Sequence, residues 1–143
     1  MPILLKRVYE NPSPRDGTRV LVDRLWPRGV TKRAAALDAW LKELAPSHAL
    51  RRWFHARPRH WQMFRKRYLQ ELGQPAAEQA LEQLYELAAR RRQLTLVFAA
   101  RNPERNNAAV LKQLLEGMRK PPSSSGGAAA AGLRARARAS RRN

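Results

Sequence analysis

Apolar and polar positions divide this chain into strand-like runs and helix-like stretches. Ile3–Val8 and Arg19–Asp23 are short runs rich in Ile, Leu and Val, the composition and length of β-strands. Gln93–Ala100 is a third run, apolar almost throughout, which predicts a strand buried on both faces. Between the second and third runs the period changes. Leu37, Trp40, Leu41 and Leu44 fall at i, i+3, i+4 and i+7, the spacing of one helical face. Pro46 ends that helix, and Ser47 is placed to cap a short one bearing Leu50, Trp53 and Phe54. Pro58 suits the first turn of a longer helix with Trp61, Phe64, Tyr68 and Leu72 on one stripe, and Gly73 stops it. Another helix opens at Pro75 and turns Leu81, Leu84 and Leu87 or Ala88 inward. Arg90-Arg91-Arg92 close it, where cations favour the macrodipole. The last helix, over 104–118, faces the core with Val110, Leu111, Leu114 and Leu115.

The order of these elements predicts an α/β fold: a small, mostly parallel sheet of about three strands, with a helical insertion before the last strand. Asn11–Gly17 is a turn cluster of prolines and an Asp-Gly pair. It leaves only about ten residues between the first two strands, short for a parallel crossover. That pair is therefore either antiparallel or separated by another strand. No internal repeat is visible.

Charge changes the picture. The net charge is +18 over 143 residues, and its distribution matters more than its size. Residues 121–143 hold five arginines and no acid, leaving +13 in residues 1–120. The Pro/Ser/Gly-rich start of that tail, and the alanines and arginines after it, offer almost nothing to bury. Residues 121–143 are expected to be a disordered basic tail behind one domain over 1–120. The chain has no cysteine, which excludes disulfides, thiolate metal sites and cysteine nucleophiles. No apolar run reaches the roughly 20 residues that span a bilayer, and no signal-peptide core is present. The expected setting is soluble and cytoplasmic, with no membrane partner.

Candidate chemistry concentrates where strands end. The second run leads into Asp23, Arg24, Trp26 and Arg28, and the third into Arg101 and Asn102, then Asn106 and Asn107 at the opening of the last helix. If those two strands run in the same direction, the loops converge. Arginine forks match phosphate or carboxylate, and a helix opening favours an anion. The asparagines serve equally well as helix caps. Asp23, set among arginines, is expected to be a carboxylate of lowered proton affinity that orients Arg24 or Arg28, the safest of its roles, accepts from a base or sugar, or serves as a weak general base. Trp26 either stacks on a planar ligand or anchors its loop against the core.

Arg19-Val20-Leu21-Val22-Asp23-Arg24-Leu25-Trp26-Pro27-Arg28-Gly29 also carries a resemblance. With it go Leu37–Ser47, the segment Leu50-Arg51-Arg52-Trp53-Phe54 through Phe64–Leu72, Leu94–Arg101, and Asn106–Leu111. In that order these stretches resemble the YeaO-like family of small bacterial proteins, a domain of unknown function (number 488), over most of residues 1–120. The resemblance implies a cytosolic α/β domain and supplies no activity. Relatives commonly carry His-Asp-Pro where this chain has Ala56-Arg57-Pro58, and Glu-His-Asn where it has Glu104-Arg105-Asn106.

His48, His55 and His60 lack the spacing of a zinc helix, so no metal site is expected. Ser47 lacks a nucleophile-elbow context. No particular cofactor is indicated. Two functions fit: an enzyme-like domain binding a phosphate-bearing or other anionic small ligand at the strand ends, or a non-catalytic, weakly sequence-specific nucleic-acid-binding protein. The latter would use Arg51-Arg52, Arg57, Arg59, Arg65-Lys66-Arg67, Arg90-Arg91-Arg92 and the tail. Every periodic apolar segment lies before Lys120. Deleting 121–143 is therefore expected to leave a cooperative thermal transition within about 5 °C of the parent, the scale of a roughly 1 kcal/mol change.

Overall fold

The computed structural model describes residues 3–90 and 93–117. Arg91, Arg92 and the tail anticipated over 121–143 lie outside them. The strands are β1 (Ile3–Arg7), β2 (Thr18–Leu21), β3 (Ala39–Trp40) and β4 (Leu94–Phe98). The helices are α1 (Lys32–Ala35), α2 (His48–Ala56), α3 (Trp61–Leu72), α4 (Pro75–Ala89) and α5 (Asn107–Gly117). The sheet order is β1-β4-β2-β3, and every neighbouring pair is parallel. The sheet thus has four strands rather than about three, and the first two are separated by another strand, as their short connection allowed. β4 registers Leu94–Phe98 against Ile3–Arg7 on one side and Leu94–Val97 against Thr18–Leu21 on the other.

The extra strand lies where a helix was expected. Ala36, at φ +48, closes α1 in a left-handed conformation that L-residues rarely take. Beyond it the chain runs along β2. The Asp38 N–H donates to the Arg19 carbonyl at 2.8 Å, and the Leu41 N–H to the Leu21 carbonyl at 3.0 Å. A single 3-10 turn, Lys42–Leu44, follows. The long helix also starts later than Pro58, at Trp61, and α5 starts at Asn107 rather than 104. Ser47 does cap α2, its Oγ accepting from the Leu50 N–H at 3.1 Å.

Strand periodicity divides the core in two. Ile3, Val20, Val22, Leu94, Leu96 and Phe98 face a large core filled by Leu50, Phe64, Tyr68, Leu72, Leu81, Leu84, Val110, Leu111 and Leu115. Leu21 and Val97 face the other way with Val8 and Ala35, under a cover that includes Trp26, Val30 and Leu37. All five residues of β4 are buried, as its unbroken apolar run predicts. Gly17 lets the chain approach β4: at φ +63, a Cβ there would lie 2.1 Å from the Gln93 carbonyl oxygen. No other residue fits.

A buried ion pair sits beside that turn. Arg19, 4% exposed, brings Nη1 to 2.6 Å from Asp16 Oδ2, and Asp16 is 3% exposed. Lys6 Nζ joins at 3.1 Å and the Ser13 N–H donates at 3.0 Å. The Asp16 carbonyl accepts from Thr95 Oγ1 at 2.7 Å, tying the turn to β4. Arg19 also donates Nε and Nη2 to the Ala35 carbonyl, fixing the end of α1. Burial alone would raise the Asp16 carboxyl, but the donors from Ser13, Lys6 and Arg19 hold it below the usual aspartate value. Its stabilising contribution is present above the unfolded value near 3.9 and is lost as pH falls through the lower folded value. Asp16→Asn is expected to cost about 3 kcal/mol or more in urea unfolding, because it leaves buried Arg19 without its counter-charge. The variant is also expected to lose that part of the acid limb.

Candidate functional site

Parallel strands end together, so the loops after β1, β2 and β4 share one edge of the sheet. The convergence expected of Asp23–Arg28 with Arg101–Asn107 follows from the parallel pairing of β2 with β4. Contacts complete it. Arg7 donates Nε to the Ala100 carbonyl at 3.0 Å and Nη2 to the Ala99 carbonyl at 3.2 Å. Its guanidinium lies over the Tyr9 ring, 5.1 Å from the centroid. The Tyr9 hydroxyl in turn donates to the Arg28 carbonyl at 3.2 Å. The Arg28 carbonyl, Tyr9, Arg7 and Ala100, the residue before Arg101, thus form one run of contacts across three chain segments. Arg28 and Arg101 are both exposed. Their side chains make no hydrogen bond or ion pair among the described residues.

The other candidates are held by the fold itself. Asp23 Oδ2 accepts from the Ala99 N–H at 2.9 Å, and Oδ1 accepts from Asn107 Nδ2 at 3.3 Å. Asn107, 8% exposed, also donates Nδ2 to the Val22 carbonyl at 3.0 Å. These bonds fasten the end of β2 to β4 and to the opening of α5. Asn106 Oδ1 caps α5 by accepting from the Ala109 N–H at 2.9 Å. Asn102 Oδ1 accepts from the Glu104 and Arg105 N–H groups, closing the preceding turn. Arg24 Nη2 donates to the Ala45 carbonyl at 3.2 Å. Trp26 donates Nε1 to the Val30 carbonyl at 2.6 Å and meets the Trp40 ring edge-on at 5.5 Å, in the anchoring role its burial favours.

Asp23 corrects an expectation. Its carboxyl is pushed up, not down, because burial outweighs the hydrogen bonds from Ala99 and Asn107 and the field of Arg51. Arg24 is engaged with the Ala45 carbonyl and Arg28 is exposed, and neither makes an ion pair with Asp23, so the carboxylate does not orient either arginine as expected. Tyr68 lies within the field of Asp23 and of Glu71, and burial with those two acids raises its hydroxyl well above the ordinary value. That hydroxyl donates to the Leu44 carbonyl. Glu71 is engaged as well, accepting from the Ser47 N–H at 2.7 Å and from Ser47 Oγ at 2.6 Å. Arg7, Tyr9 and Arg51 were not legible as neighbours of this edge. Only the strand order brings β1 beside β4, and only the tertiary packing brings α2 to Asp23. No group of three or more His, Asp or Glu residues among the described ones is placed to hold a metal ion.

A four-stranded parallel sheet with arginines at its carboxyl edge and a helical cover defines a small α/β domain. The family to which it belongs is shown by sequence comparison: residues 2–129 match the model described as the inactive DUF488-N3 subclade, and the chain is a member of that family. The Escherichia coli protein YeaO, described as uncharacterised, is 44% identical over 118 residues, covering 82% of this chain and 100% of YeaO. Uncharacterised proteins of Mycobacterium tuberculosis and Mycobacterium bovis are each 44% identical over 115 residues, 80% of this chain and 94% of theirs. No solved structure matches. No helix among the described residues is long and apolar enough to cross a membrane.

Asp23 separates the roles of charge and of hydrogen bonding at this edge. Because its folded value is raised, its ionisation opposes folding, an effect that sets in as pH rises past about 3.9 and is complete above the folded value. Asp23→Asn keeps an oxygen for the Ala99 N–H and is expected to cost under about 1 kcal/mol at neutral pH. Asp23→Ala leaves two donors without partners and is expected to cost about 2–4 kcal/mol, at roughly 1–3 per unsatisfied group. Urea titrations of both variants at pH 4 and pH 7 check the size and the sign.

Proposed function

We propose that the chain is an enzyme-like domain that binds a phosphate-bearing or other anionic small ligand at the carboxyl edge of its sheet, without catalysing a reaction on it. One observation carries this reading: Arg28 and Arg101 are exposed at that edge with guanidinium groups unengaged among the described residues, on loops whose backbones are tied together through Tyr9 and Arg7. Two planar forks of donors on loops fixed by parallel strands suit the tetrahedral or planar oxygens of an anion. The helix opening contributes less, since Asn106 already takes the Ala109 N–H.

The absence of catalysis rests on Asp23 and on the family. Both oxygens of that carboxylate are engaged with the fold, which leaves it a brace rather than a free general base. The description of the matching family as inactive supports the same conclusion. Calorimetric titration with inorganic phosphate and with nucleoside mono- and triphosphates tests the binding. Arg28→Gln and Arg101→Gln are each expected to weaken it by about 1.5–3 kcal/mol, the range for a hydrogen bond to a charged group. Arg15→Gln, on the turn before β2, is expected to leave it unchanged. Undiminished affinity in Arg28→Gln would remove the site from this edge.

A further inference from the structure

The second concentration of charge lies away from that edge. Residues 48–72, which contain α2 and α3, carry Arg51, Arg52, Arg57, Arg59, Arg65, Lys66 and Arg67 against one acid, Glu71. Glu71 is turned to Ser47. Among the described residues the ion pairs are Lys6–Asp16, Arg19–Asp16 and Lys112–Glu116, so none neutralises this pair of helices. Arg65 leaves the group by donating Nε to Gln113 Oε1 at 2.9 Å, toward α5. Arg51 lies within the field of Asp23.

The remaining cations gather round one ring. Arg67 from α3 lies over the Trp53 ring at 4.4 Å from the centroid, and Arg57 from the turn between the helices lies over it at 5.5 Å. His60 meets the same ring at 5.9 Å. Trp53 is half-buried against the large core, whereas Arg52, Arg57, Arg59, Lys66 and Arg67 are exposed. Two guanidinium groups on one indole repel each other. The ring's negative face offsets part of that repulsion and fixes both groups in place. The result is a preorganised pair of donor forks that no acid pairs with among the described residues.

We propose that this face, centred on Trp53, Arg57 and Arg67 and extended by Arg52, Arg59 and Lys66, docks the phosphate backbone of a nucleic acid. The occupant follows from charge density and form. The exposed cations lie on α2 (Arg52), on α3 (Lys66, Arg67) and in the turn between them (Arg57, Arg59), five within 16 residues of chain, a density that matches a backbone with a charge at every step. Arginine forks held by a flat aromatic suit phosphate oxygens and base faces together. No recognition helix or base-reading motif accompanies them, so binding tracks the backbone rather than the sequence. Nothing in this inference depends on the anion site at the sheet edge.

Fluorescence anisotropy of a labelled oligothymidylate, titrated with the full chain at several salt concentrations, tests it. All variants keep residues 118–143, so differences between them belong to the substituted positions. Arg57→Gln with Arg67→Gln is expected to flatten the slope of log affinity against log salt by about 1.4, two contacts at roughly 0.7 each on single strands. Arg52→Gln with Arg59→Gln, which touches no ring, is expected to flatten it by a similar amount. Arg15→Gln with Arg33→Gln removes the same charge elsewhere and is expected to leave the slope as in the parent. Equal losses in all three pairs would overturn the proposal in favour of net charge alone. An unchanged slope in the first pair, with loss only in Arg28→Gln with Arg101→Gln, would instead move the contact to the sheet edge. Binding to vesicles of anionic lipid, abolished by the Trp53-centred variant while oligothymidylate binding is not, would reassign the face to a membrane. Salt-dependent self-association removed by Glu78→Gln, Glu82→Gln and Glu86→Gln together, with no oligothymidylate bound, would reassign it to a second copy of the chain.

Discussion

The molecule depends on β4, the last strand in sequence, occupying the place between the first two. β1 and β2 do not hydrogen-bond to each other, so one polar side of each strand stays open until β4 is seated. A backbone group buried without a partner costs as much as a lost hydrogen bond, which makes insertion of β4 close to all-or-none. The strand is built for that position: all five residues are buried, and its ends are tied in. The Thr18 N–H donates to the Gln93 carbonyl at one end, and the Val8 N–H to the Phe98 carbonyl at the other. The carboxyl edge exists only as a consequence. Arg7 reaches Ala99 and Ala100, and Ala99 reaches Asp23, because β4 brings them between β1 and β2.

Two aspartates flank this strand, and the fold treats them in opposite ways. Both are removed from water, which by itself favours the neutral form. Asp16 meets two cations and a backbone N–H within hydrogen-bonding distance, and those short contacts overcome burial. Asp23 meets two neutral donors and a more distant Arg51, and burial prevails. A net charge of +18 does not decide between them. Exposed arginines are screened by water and salt, so contacts inside about 3 Å govern a buried carboxylate. The acid that looks chemically poised in the sequence is therefore a brace. The one that looks like part of a turn is the main electrostatic fastening.

Long periodic elements were legible because one physical requirement dominates each. Phe64, Tyr68 and Leu72, or Leu81 and Leu84, satisfy helical spacing only if they share one core, and they do. Leu37–Leu44 shows how the same argument misleads. Leu37 lies under the smaller core, Leu41 and Leu44 belong to the larger one, and Trp40 is exposed. The spacing was accidental to a segment that changes faces of the sheet. What decided it was nonlocal: the Arg19 and Leu21 carbonyls receiving N–H groups from 38 and 41. The candidate edge was half legible for a related reason. Strand ends were visible from composition, which located Arg28 and Arg101. Strand order was not, so Arg7 and Tyr9 were missed, and the asparagines did not disclose that they fasten the loops.

Charge on this domain is segregated as well as abundant, and that distinction separates function from solubility. α4 carries Glu78, Glu82 and Glu86 and no lysine or arginine, whereas residues 48–72, the two helices before it with the turn between them, carry seven cations and one acid. Solubility asks only for net charge away from zero and is served by any arrangement, most cheaply by one that spreads like charges apart. Crowding cations onto one pair of helices raises their mutual repulsion. The chain limits that cost by laying Arg57 and Arg67 over Trp53 instead of moving acids from α4 to meet them. The charge distribution is therefore oriented rather than uniform, as docking of a polyanion on the proposed face requires. Such a field selects the orientation of encounter before any contact forms, which a uniformly basic surface of the same net charge does not do.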